Sequence, residues 1–476
     1  MSANVEDLDW LLKYAEKRGF DYIEARHHAL KIQDFNILNG LTTSVNQSES
    51  AGFSLRVVKD NIIYFFSSPS KEKIKEDLEY FHPLSARPWS NSFGKVEDIF
   101  VGEYKVTQKT PLDLVSLGEK IKFMKNVMKD VEGIKISSKI LSFELIYIEL
   151  FEKKDIITSD GASVHSEIPR VWNMYSIVMR EGDRSINAFS DELGSAGGYE
   201  VLNSWNLQEY LSEKVKSFNE VIAKAKATPS SISDIVLSGQ IAGIIAHESA
   251  GHPFEADRVL GREGAQAGMS YLTGRDIKSD RHFASESVSV VDDPTLPYSM
   301  GFFLSDDEGV RARRKFLIKD GMISELLYDR STSSSFGVKS NGSVRTSDFT
   351  AEPIIRMSNT FFLPSSITFD EMIEDIREGV FIKSFMEWNI DDLRWSQRYV
   401  GLEAYEIKQG ELGSPVLFPV FEANTGQIYN SIVAVDNNLS FYAGMCGKGE
   451  PSQGVPVWMG GPDLRLRGLS LKKLGD

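Results

Sequence analysis

The chain has 476 residues, 41% of them hydrophobic and 25% charged, a globular composition too long for one ordinary core, so two or more domains are expected. Its formal net charge of -15, with the densest basic run (Arg311 to Lys315) following Asp306, Asp307 and Glu308, argues against nucleic-acid binding. One cysteine excludes an intrachain disulfide, and no apolar run approaches the ~20 residues of a membrane span, so a cytoplasmic protein is expected.

Leu8, Leu11, Leu12 and Ala15 recur at helical spacing among Glu6, Asp7 and Asp9, with Gly19 as the stop. This is an amphipathic helix pattern, not a basic segment followed by an apolar secretion signal. β-rich stretches follow, the clearest from Phe53 to Phe66, with Lys59-Asp60-Asn61 as a hairpin turn. Lys71 to Tyr80 predicts a charged surface helix. Thr110-Pro111 opens another that runs to about Glu132, with Leu114, Leu117, Ile121 and Met124 on its apolar face. Strands are predicted at Ser142 to Glu152 and Val171 to Met179, then a glycine-rich turn at Gly194 to Gly198 and a helix from Leu207 to about Ala227. The segment Thr228-Pro229-Ser230-Ser231-Ile232-Ser233 reads as the domain boundary. Ile235-Val236-Leu237 predicts a short strand. Further on, Asp320-Gly321 is a strong hairpin signal because it supplies the positive φ angles of a tight turn, and Asn341-Gly342 is a weaker one. The expected fold class is α+β: an N-terminal helix-on-antiparallel-sheet domain, 1–228, then a β-rich C-terminal domain, 229–476, carrying the functional site.

Ile241 to Ala246 is an apolar helical run leading into His247-Glu248-Ser249-Ala250-Gly251-His252, an HExxxH pattern. Histidines five apart diverge by about 140° on a regular α-helix and could not share an ion. Gly251 tolerates distortion, however, and Pro253 pushes His252 out of the α region. A metal reading therefore requires a π-type turn, or a helix end at Gly251, that swings His252 back toward His247. Catalytic zinc sites typically use three protein ligands, which leaves one to find. Glu255, Asp257 and Cys446 are the candidates. Glu255 serves equally well as a partner that orients an imidazole. Cys446 is flanked by Gly444, Gly447 and Gly449, which let the backbone approach a buried centre, although a lone cysteine is often a packed small hydrophobe.

His247 to Asp257, Asp292-Asp293-Pro294-Thr295-Leu296-Pro297, Gly301, Asp306-Asp307-Glu308-Gly309 and Cys446-Gly447-Lys448 together resemble the TldD/PmbA family of metallopeptidases. The resemblance is dense in the C-terminal half. It extends more weakly through Gly52 to Val57 and Gly194 to Gly198. It lies on the TldD side, whose members keep the HExxxH pattern. The resemblance implies Zn2+ held by His247, His252 and Cys446, with Glu248 catalytic. It also implies unfolded or modified peptides as substrate, and a dimer formed with itself or with a PmbA/TldE-type subunit around an enclosed chamber. The chain departs from the family where a glycine-proline stretch would precede the last β segment; here it reads Asn389 to Trp395.

Such a site would hydrolyse a peptide bond through a metal-activated water, with Glu248 as general base. The alternatives are a regulatory protein of the gyrase-modulator kind with structural zinc, or a deformylase-like hydrolase of small amides. Asp292-Asp293 and Asp306 to Glu308 read as turn and scaffold residues rather than a second cation site. His27, His28, His82, His165 and His282 have no partner at ligand spacing. Neither a phosphate-binding glycine loop nor a Gly-x-Ser-x-Gly elbow is present.

Overall fold

Long strands run through the N-terminal half: β1 (Tyr22–Leu38), β2 (Leu41–Lys59) and, after β3 (Ile62–Ser68), the short β4 (Val101–Lys105), and two helices, β5 (Lys139–Thr158). With β6 (Ser163–Glu181) and β7 (Arg184–Ala196) they make one sheet in the order β3-β2-β1-β5-β6-β4, with β7 also on β6. Its pairings are antiparallel except that of β4 with β6. The computed structural model describes residues 5–83, 93, 98–229, 232, 234–264, 268–278 and 282–475.

Helix α1 (Val5–Glu16) buries Leu8, Leu11, Leu12 and Ala15, the residues that its spacing predicts. With α2 (Lys71–Tyr80) it covers Ile23, Leu55 and Val57 of the sheet. Helix α3 (Leu117–Glu132), the short α4 (Glu200–Ser204) and α5 (Leu207–Lys224) close a second core around Phe35, Tyr147, Val171 and Ile177. The β2–β3 turn falls on Asp60 and Asn61, both at positive φ, as a primed hairpin requires.

Three expectations are corrected. Helix α3 begins at Leu117 rather than Thr110, because Ser116 and Glu119 form a reciprocal capping box there. Leu114 is consequently 75% exposed, and Leu112 takes the buried position. Gly194 to Ala196 belong to β7, where they pair with Arg170 to Trp172, so the bend is confined to Gly197 and Gly198. Asn341-Gly342 is no hairpin: the Asn341 side chain accepts from Tyr328 N and donates to the Leu326 carbonyl, tying down a neighbouring segment. Of the predicted boundary, Ser230, Ser231 and Ser233 lie outside the described residues.

The C-terminal half is built on three larger sheets. Strand β8 (Asp234–Leu237) is paired in parallel with Glu378–Ile382 and antiparallel with Leu464–Arg467. A six-stranded sheet contains β9 (Val290–Asp292), β10 (Lys315–Lys319), β11 (Met322–Ile323), Asn359–Phe362, Gln453–Gly461 and Ser440–Lys448. Asp320 and Gly321 make the tight β10–β11 turn at positive φ. Helix α6 (Gly239–Ile245) follows β8, and its Ile241, Ala242 and Ile245 share one core with Val290, Phe362, Val457 and Leu464. Among the described residues no helix is long and apolar enough to cross a membrane.

Candidate metal centre

Gly239 to Ile245 is apolar, and every residue of α6 but Gln240 is buried, so this helix has no solvent face to orient it. Its start is set instead by Asp463, whose Oδ1 accepts from Gly239 N at 2.7 Å. Beyond Ile245 the backbone widens into a π turn over Ala246–Gly251 and tightens into a 3-10 turn at His252–Phe254. Five residues then close one revolution, which returns His252 to the side of His247. Their ring centroids stand 4.9 Å apart with planes at 85°. Gly251 packs tightly on this path: a Cβ there would lie 1.9 Å from Met357 Sδ, so that side chain would have to move.

Cys446 comes from the strand Ser440–Lys448, 194 positions away in sequence, and its Sγ lies 3.4 Å from His252 Nε2. Ligand atoms of His247, His252 and Cys446 all fall within 4.8 Å of one another, and all three residues are buried. Donors around a tetrahedral zinc ion stand about 3.3–3.8 Å apart by bond length, so the cluster is of the size an ion needs. His247 Nδ1 is buried without a hydrogen-bond partner among the described residues, so the ring is not held as a fully satisfied core histidine would be.

The surrounding charges suit that use. Burial pushes both histidines below their ordinary pKa and so favours neutral, ligating rings. Burial would raise the Cys446 thiol, but the His252 ring beside it, when that ring carries the proton of the pair, and the Arg356 charge outweigh burial and bring it down to about 7. Arg356, itself buried, donates to the Cys446 carbonyl and to the Gln453 carbonyl, clamping the strand pair that presents the sulfur.

Glu255 and Asp257 stand outside the cluster. Glu255 Oε2 faces His252 Nδ1 at 3.2 Å and also accepts from Arg258 Nε at 2.5 Å. Burial would raise this carboxyl, but Lys448 and Arg258 hold it well below the usual range. Asp257 pairs with Lys448 Nζ at 2.6 Å. Glu248, beside His247 on the π turn, is 6% exposed and meets the guanidinium of Arg394. Nothing in the residue types or spacing singles out Arg394; only its surroundings, in the segment Asn389 to Trp395, do so.

The acidic motifs are fully used as scaffold. Asp292 accepts from Ser358 N, Ser358 Oγ, Thr360 Oγ1 and Lys315 Nζ. Asp293 caps Thr295 and meets Arg314. Asp306 accepts from Glu308 N, Val310 N and Val344 N. The five remaining histidines are not brought to the centre: His27, His28 and His165 sit on the N-terminal sheet with Asp155 and Glu152.

Two family descriptions match the chain: the PmbA/TldA metallopeptidase central domain over residues 110–228 and the C-terminal domain of the same family over residues 230–473. A protein of Archaeoglobus fulgidus named a metalloprotease is 32% identical over 427 residues, 89% of this chain and 92% of that one. One from Saccharolobus solfataricus named a zinc metalloprotease TldD homolog is 23% identical over 97% of this chain and 98% of its own. Among solved structures, TldE from Thermococcus kodakarensis superposes with a TM-score of 0.73 at 16% identity, covering 98% of this chain and 99% of that one.

Proposed function

The chain belongs to the TldD/PmbA family of metallopeptidases, and from that premise we propose that it hydrolyses unfolded or modified peptides at a centre made by His247, His252, Cys446 and Glu248. The observation that carries this reading is the convergence of two buried imidazoles and a buried thiol within 4.8 Å, one residue from a buried carboxylate. Two imidazoles and a thiolate suit zinc, the metal in the name of one relative. Bound there, it would supply Lewis-acid polarisation of the scissile carbonyl and a more acidic water.

The protein's own residues do the rest. Glu255, held ionised by Lys448 and Arg258, fixes the Nδ1–H tautomer of His252 and so aims Nε2 at the centre. Cys446 as thiolate reduces the positive charge of the site. The Glu248 carboxylate takes the proton of the attacking water and delivers it to the leaving amine nitrogen. Residues 1–228 and 229–476 would act as two domains, with the chain dimerised with itself or with a PmbA/TldE-type subunit, in the cytoplasm.

The test is elemental analysis of the wild type, His252→Ala and Cys446→Ala, together with cleavage of an unfolded peptide by the wild type and Glu248→Gln. One zinc per chain in the wild type, its loss from both ligand variants and a Glu248→Gln protein that keeps zinc without cleaving are expected. Full zinc in Cys446→Ala would remove the sulfur from the site. Undiminished cleavage by Glu248→Gln would overturn the assigned chemistry.

A further inference from the structure

The tip of the hairpin formed by Phe385–Ile390 and Ser396–Gly401 carries Arg394 into the candidate centre. The tip is held in place by the side chain and the carbonyl of Asp391. Asp391 accepts from Trp395 N at 2.7 Å and Ser396 N at 3.1 Å, and its carbonyl accepts from Arg394 N at 3.0 Å. Thr425 Oγ1 donates to the Arg394 carbonyl at 3.1 Å, and Trp395 packs 5.1 Å from the Tyr271 ring. Arg394 itself adopts φ +61, a conformation disfavoured for a long side chain. A strained residue on a fixed turn is a presented residue.

What Arg394 presents is incompletely satisfied. Its Nη1 is bonded to Glu248 Oε2, while its Nε is buried with no acceptor among the described residues. The side chain is 13% exposed, so water does little for the spare donor. A buried donor without an acceptor is costly, and a guanidinium is matched best by a carboxylate taken with two parallel hydrogen bonds. Glu248 occupies only part of that capacity, and it is also the group that must be free to take a proton if the proposed reaction is to run. A carboxylate brought by the substrate would satisfy the open donor.

We propose, on the basis of the peptidase reading above, that Arg394 is a substrate-binding residue that selects peptides with a carboxylate beside the scissile bond. The carboxylate has two sources, the C-terminus of the peptide and an internal Asp or Glu side chain. The net charge of -15 repels acidic peptides in general, so a preference for them would have to come from a local receptor such as this one.

The test is binding of fluorescent unstructured peptides to zinc-loaded Glu248→Gln protein, followed by anisotropy so that no turnover is needed. Three peptides are compared: one with a free C-terminal carboxylate, one amidated with an internal Glu, and one amidated with Gln in place of that Glu. At least one anionic peptide is expected to bind about ten-fold or more tightly than the neutral one, by the worth of a charged hydrogen bond. Whichever anionic peptide binds more tightly identifies the source. Adding Arg394→Gln is expected to bring all three affinities together, with zinc content unchanged. Equal affinities in the Arg394-containing protein would overturn the proposal, as would a preference that survives Arg394→Gln. Because binding is read without hydrolysis, a failure of the peptidase reading shows separately, as absence of cleavage by wild type.

Discussion

His252 is held from two sides, by Cys446 at Nε2 and by Glu255 at Nδ1, and this makes Glu255 the most informative residue to change. Glu255→Ala removes the acceptor that sets the ring and leaves Lys448 and Arg258 without their shared partner. Loss of such a supporting bond typically weakens metal affinity about 10–100-fold. Glu255→Gln keeps an oxygen for Nδ1–H and is expected to lose less. Competition with a chelator measures both, and an Ala variant that holds zinc as tightly as wild type would remove Glu255 from this role. At this scale much of the site is legible. His247, Glu248 and the need for a π turn or helix end at Gly251 follow from HExxxH and Pro253. The roles of Glu255 and Cys446 do not, because one residue reads equally as ligand or support and the other stands alone in the chain. Family resemblance nominates Cys446; its sulfur lies 3.4 Å from His252 only in the folded chain. Arg394 is not singled out in the sequence, where only its segment, Asn389 to Trp395, stands out as a departure from the family, since an arginine in a hairpin carries no spacing signal.

At the scale of elements, apolar periodicity locates α1 and an unbroken apolar run locates the helix leading into the histidines, but neither shows how each end is fixed. α3 begins seven residues late because a capping box competes with the Thr110-Pro111 start. α6 begins on Asp463, a residue 224 positions away in the chain. Burial, followed by the nearby Asp436, pushes the Asp463 carboxyl up to about 7. A carboxyl raised in the fold favours the folded state fully only below its ordinary range, and that contribution is lost as the pH rises toward 7. Asp463→Asn keeps an acceptor oxygen for Gly239 N without this titration. Its melting temperature relative to wild type is therefore expected to improve by several degrees between pH 5 and pH 8, read by thermal unfolding at each pH. A difference that stays constant across that range would show that Asp463 ionises normally.

Across the whole molecule, the two halves meet through groups that a sequence presents as ordinary. Gly194 lies in a strand of the N-terminal sheet, where a Cβ would stand 2.6 Å from that of Ala443, and its carbonyl accepts from Trp458 Nε1 at 2.7 Å. Gly194 is thus a contact with the strand that carries Cys446 and with its neighbour, while the turn that the composition suggests is confined to Gly197 and Gly198. A second junction is ionic. Arg56 Nη2 lies 2.6 Å from both Glu24 Oε2 and Glu308 Oε1, and all three side chains are at most 2% exposed. Glu308 in turn accepts from Arg330 N at 2.9 Å, and Arg330 Nη1 reaches Asp160 at 2.6 Å. Charges so buried recover their desolvation only while paired, so removing one costs more than removing all. Arg56→Met leaves two buried carboxylates facing each other's field and is expected to destabilise by about 3–5 kcal/mol. The triple variant Glu24→Gln, Arg56→Met, Glu308→Gln, which preserves the acceptor for Arg330 N, is expected to regain a substantial part of that loss. Denaturant midpoints of the two variants decide the matter. If the triple variant is less stable than Arg56→Met alone, the carboxylates contribute to the junction independently of the arginine, through bonds such as Glu308 to Arg330, and the two halves are held by hydrogen bonding rather than by a charge-balanced cluster.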